Sequence, residues 1–140
     1  MKWTLILATF FVAISTGSCT GDNSASAAQY SYEEPQWPPV ELDNGAKWTA
    51  NPETTQSISA MQNFLKNQSH KLSSAEIKVE LLNEFKLIFK NCTMTGAAHD
   101  QLHNYLLPLR DKINALNENN REAALTELHN YLNSYNRYFK

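Results

Sequence analysis

The stretch "SSAEIKVELLNEFKLIFKNC", Ser73 to Cys92, decides how this chain folds. It opens on Ser73-Ser74-Ala75-Glu76, a pattern in which serine caps a helix and glutamate reaches back to the capping residue. Ile77, Leu81, Phe85, Ile88 and Cys92 follow at steps of 4, 4, 3 and 4. Steps of three and four make one apolar stripe along a helix, and that stripe must be buried against neighbours. The stretch therefore predicts one wall of a helical core.

Three more helical segments lie around it. Asn51-Pro52-Glu53 offers an N-cap with proline in the first turn, and Ile58, Met61 and Leu65 then mark a face, with Phe64 beside it. Thr95 can cap a segment whose seam reads His99, Leu102, Leu106, Leu109, Ile113 and Leu116. Asn119 with Glu122 can open the last, which carries Leu125, Leu128, Leu132, Tyr135 and Phe139. The connections "NQSHKL", "NCTM" and "NENN" are short enough to make successive helices antiparallel neighbours. The expected fold is all-α, an up-down-up-down four-helix bundle over residues 51–140. Pro108 inside the third helix predicts a kink and a freed carbonyl near Asn104. The pentapeptide "LHNYL" occurs at Leu102–Leu106 and again at Leu128–Leu132, which gives His103 and His129 comparable places beside the seams.

The beginning of the chain has a different composition. Lys2 followed by the apolar run Trp3 to Ile14 reads as an export signal over residues 1–18, too short to span a bilayer as a retained helix. The segment "AISTGSC" resembles a lipobox and makes Cys19 the acylated residue, although Thr16 stands where leucine is commonest. Ordinary cleavage in the "SASAA" region is the rival. Residues 19–50 are rich in Ser, Ala, Pro and acids and read as a flexible tether, with Pro35, Pro38 and Pro39 excluding a helix. "DNG" at 43–45 reads as a turn, and Trp48 as the start of the folded part.

The chemistry concentrates in "NCTMTGAAHDQLH", Asn91 to His103, in a chain with only two cysteines and four histidines. If Cys19 carries lipid, Cys92 has no partner in its own chain and is reactive, buried or metal-bound; otherwise a Cys19–Cys92 disulfide is open. His99 and His103 are one helical turn apart, a spacing that lets two imidazoles face one ion. Thiolate and thioether suit copper, and cysteine with two histidines also suits zinc. The candidate ligands are Cys92, Met94, His99 and His103, with Met61 as a fifth. Each also reads as ordinary structure, because Cys92, Met61 and His99 all fall on core seams. The competing expectation is a structural or partner-binding bundle without metal.

"NGAKWTAN" followed by "CTMTGAAHDQLHNYLLP" resembles a group of small exported lipoproteins of Bacteroidota-type bacteria, over about residues 44–140. The resemblance implies an envelope location on the periplasmic side, a membrane partner through the lipid, and no particular activity. In length and topology the bundle also resembles the soluble b-type and c′-type cytochromes, and "NSYNRYF" is similar to the last turns of the b-type proteins. That likeness implies haem on Met61 with His99 or His103, but the final turns here lack a histidine and no Cys-x-x-Cys-His occurs. No nucleophile, base and orienting acid stand together, so a binding role is expected and an enzyme is not. A net charge of −2 with no basic stripe gives no reason to expect nucleic acid.

Overall fold

The computed structural model describes residues 36–140, which contain four α helices. They are α1 (Pro52–Asn67), α2 (Ser74–Asn91), α3 (Gly96–Ala115) and α4 (Arg121–Tyr138), with a 3-10 turn at Ser69–Lys71. The signal sequence and Cys19 lie outside the described residues. Helix α1 packs against α2 and α4, and α3 packs against α2 and α4, so each helix has two neighbours around one core.

The helix starts follow their local chemistry. Ser73 Oγ accepts from the Glu76 amide while the Glu76 carboxylate accepts from the Ser73 amide, which completes the capping box. Asn51 caps α1 indirectly: its Oδ1 accepts from the Thr54 hydroxyl at 2.6 Å, and its amide donates to Glu53 and to the Asn91 carbonyl. The cap of α4 is Asn120, one residue later than its sequence suggests, and Asn120 also donates to the Ala115 carbonyl. Helix α3 continues through Pro108 without interruption.

The core is built by the expected seams. Ile58, Met61, Ile77, Leu81, Ile88, Leu102, Leu106, Leu109, Ile113, Leu128 and Leu132 are all buried. Tyr105 joins them, 1% exposed, three residues after Leu102 and four before Leu109 and so on the same face of α3. It stacks on Tyr131 of α4 at 4.9 Å, and the hydroxyl of each donates to the backbone carbonyl of the other at 3.0 and 2.9 Å. These two tyrosines are the same position of the repeated "LHNYL", so the echo marks a reciprocal contact between α3 and α4.

Two polar clamps close the ends. Arg121 donates to the Ser69 and Leu72 carbonyls at 2.8 and 2.6 Å and to Ser74 Oγ at 3.2 Å, while Glu118 accepts from the Ser74 amide. At the other end Trp48 and Ala50 pair with Tyr138 and Lys140 through backbone hydrogen bonds, including a parallel bridge of Trp48 with Phe139.

Of the tether expected over 19–50, residues 36–50 are described. From Trp37 onward they are bonded to the bundle. The Trp37 indole donates to Asp111 at 2.7 Å under the Arg110 guanidinium, and the Glu41 amide donates to Gln101 at 2.7 Å. Trp37, Pro38, Pro39 and Val40 line a cleft of about 250 Å³ with Tyr105, Pro108, Tyr131 and Tyr138. An extended Pro-Pro segment needs no backbone partner, so its side chains can cover an aromatic groove at little cost. Asn44 (φ 49°) and Gly45 (φ 88°) then form the tight turn between Asp43 and Ala46, where two left-handed residues in succession suit Asn-Gly.

Candidate functional site

The amino-acid order places Cys92 and His99 at facing helix ends, but the structure brings a different pair together. His99 and His103 lie on successive turns of α3, with their Nε2 atoms 3.2 Å apart and ring centroids 4.4 Å apart. In such a contact one nitrogen donates and the other accepts, and which does which depends on the ring tautomers. Phe89 of α2 meets the His103 ring edge-on at 5.6 Å and itself packs on Phe85. Both histidines are half-buried, so a small solute reaches them.

Burial is the first cause holding the His103 pKa below the ordinary imidazole value, and the neighbouring His99 is the second; Asp100 acts in the opposite direction. A lowered pKa means that the folded chain takes up its proton later than the unfolded chain. This contribution to stability is therefore complete above about pH 6.5 and declines as pH falls towards the folded pKa.

The other expected ligands are placed elsewhere. Cys92 is the C-cap of α2, half-buried and packed on the core. Because His99 and His103 are already adjacent, Cys92 beside them would complete a trio of donors; among the described residues no three His, Cys, Asp or Glu side chains form such a group. Met94 is half-buried and packs against the core. Met61 is 0% exposed within it. Met61 packs there as an apolar seam residue of α1. His129 sits on the exposed side of α4, where its Nδ1 meets the Asn133 amide at 3.1 Å.

The physical reason for the regrouping lies in helix geometry. Cys92 ends α2 in extended conformation, and Gly96 turns into α3 with φ 63°, so the two seams are joined through a corner and not along one helix. An i, i+4 pair on one helix needs no such alignment. Two neutral imidazole nitrogens can chelate one cation, and two donors leave its other coordination positions to water or a second molecule. No protein-family model, curated protein or solved structure matches this chain.

Proposed function

We propose that the chain is an envelope lipoprotein whose helical bundle binds a borderline divalent metal at His99 and His103, zinc ahead of copper. The observation that carries this reading is the 3.2 Å between the two Nε2 atoms. Two nitrogens bound to tetrahedral zinc at 2.0–2.1 Å stand about 3.3 Å apart, whereas square-planar copper brings them to about 2.8 Å. Two imidazoles alone offer no sulfur donor of the kind that favours Cu(I). A two-imidazole site binds and releases readily, which suits sequestration, delivery or sensing and not turnover.

The up-down-up-down order belongs to the same proposal and is supported by which helix ends are bonded. Asn51 at the start of α1 bonds Asn91 at the end of α2, and Arg121 at the start of α4 bonds the α1–α2 connection. Acylation of Cys19 would hold the bundle at a membrane. On that reading Cys19→Ser transfers the protein from the membrane to the soluble fraction of the envelope, and retention on membranes speaks against the anchor.

Zinc titrated into the purified protein near pH 7.5 is expected to show one site per chain. His99→Ala and His103→Ala each remove a ligand; loss of a mere outer-shell partner costs 10–100-fold, so roughly 100-fold weaker binding is expected. Cys92→Ala and Met94→Leu should bind as the parent does. Protons compete for the same nitrogens, so the affinity should fall at acid pH, and the lowered His103 pKa delays that fall. Equal zinc binding by all these variants would sink the site.

A further inference from the structure

Helix α2 presents an outer stripe that the bundle leaves uncovered. Glu76, Val79, Glu80, Asn83, Lys86, Leu87 and Lys90 recur at steps of 3, 1, 3, 3, 1 and 3, which places them on one face of the helix. Every one of them is exposed, and Val79 and Leu87 are 56% and 41% exposed despite being apolar. Beside Val79, a groove of about 310 Å³ runs between Leu72, Ala75, Glu76 and Glu80.

The order of residues along this stripe reads in reverse with opposite charge. About Asn83 as centre, Glu76 is the counterpart of Lys90, Glu80 of Lys86, and Val79 of Leu87. Within one molecule this arrangement is unfavourable. Glu76 and Glu80 are like charges one turn apart, as are Lys86 and Lys90, and such pairs destabilise a helix surface.

We propose that α2 pairs with α2 of a second copy of this chain, antiparallel, across a twofold axis at Asn83. Each Glu80 then meets Lys86 of the other copy, each Glu76 meets Lys90, and each Val79 meets Leu87. Leu87 of the second copy enters the apolar groove beside Val79. Glu76 spends one carboxylate oxygen on the cap at Ser73 and keeps the other for lysine. The same surface on both partners is what a twofold dimer requires. Parallel pairing is rejected by the same residues, because it sets Glu76 on Glu76 and Lys90 on Lys90.

The stripe is about 21 Å long, which places the contact among the small interfaces that assemble and separate readily. This inference stands apart from the metal reading, since α2 contributes no proposed ligand.

Charge reversal distinguishes the proposed pairing from any other. Sedimentation equilibrium of the whole protein over a concentration series should show a monomer–dimer equilibrium. E80K and K86E each create two like-charge contacts per dimer and should raise the dissociation constant roughly tenfold or more. The double variant E80K/K86E restores opposite charges and should regain the parental constant. An equimolar mixture of the two single variants should form a mixed dimer that neither forms alone. Circular dichroism should be unchanged in all, since both positions face solvent. A parent that stays monomeric at every concentration overturns the proposal. So does a dimer that both single variants retain, or one that the double variant and the mixture fail to restore.

Discussion

Tyr105→Ala is expected to cost about 3–5 kcal/mol of stability, the range for deleting a buried aromatic side chain. The ring is 1% exposed and touches three others: Tyr131 at 4.9 Å, Tyr135 at 5.5 Å and Phe139 at 6.0 Å. Removing it opens a cavity between α3, α4 and the Trp37–Val40 segment, with no flexible neighbour placed to fill it. For a domain of this size the melting temperature should drop by roughly 15–30 °C. Tyr105→Phe keeps the ring and loses only the hydroxyl's bonds to the Tyr131 and Leu132 carbonyls, so about 1 kcal/mol is expected. Burial, followed by the Tyr131 neighbour, raises the Tyr105 pKa well above the ordinary phenol value. The folded chain holds that proton longer than the unfolded chain, so stability is full below about pH 10 and lost above it. Tyr105→Phe should make that alkaline loss shallower in urea denaturation followed against pH. A near-parental melting temperature for Tyr105→Ala would show that this aromatic cluster does not hold the helices together.

Arg121→Ala carries the second large expected effect, about 2–3 kcal/mol, in the range for hydrogen bonds made by a charged group. One guanidinium satisfies the Ser69 and Leu72 carbonyls and Ser74 Oγ, and only 19% of its side chain is exposed. These carbonyls belong to the connection between α1 and α2, so the clamp ties the first helical pair to the start of α4. Lysine offers a point charge where the site uses a planar fork, and Arg121→Lys should recover less than half of the loss. Glu118→Ala should lose less than Arg121→Ala, because that carboxylate is largely solvated. Thermal denaturation of the three variants orders them. Arg121→Ala as stable as Glu118→Ala would leave the clamp without energetic weight.

The histidines of the two "LHNYL" copies draw attention in the sequence, yet the tyrosines organise the interface. Tyr105 and Leu106 both continue a 3-4 stripe from Leu102, and a stripe reports only which face points inward on average. The burial of Tyr105 depends on Tyr131 arriving from another helix with a carbonyl for its hydroxyl. Leu125 and Ala124 show the same limit on a smaller scale. Leu125 fits the seam but is only half-buried, while Ala124 beside it is buried. Trp37 is similar: its Pro-rich surroundings describe an extended segment, and nothing local tells that Asp111, 74 residues away, accepts its indole hydrogen.

Helix existence and several of the starts depend on interactions within a few residues, and these were legible from the order of amino acids alone. The capping box at Ser73–Glu76, the proline after Asn51 and the stripes at Ile77–Ile88 and Leu102–Ile113 are all local. The candidate site divides along the same line. His99 and His103 are one turn apart on one helix, so their approach follows from helix geometry. Cys92 and His99 belong to two helices joined by a corner, and whether they meet depends on the rotation of each helix about its own axis. Packing of the whole core sets that rotation. Only the tertiary structure could therefore leave Cys92 out of a three-donor group with the two imidazoles, and only it could show which face of α2 remains in water.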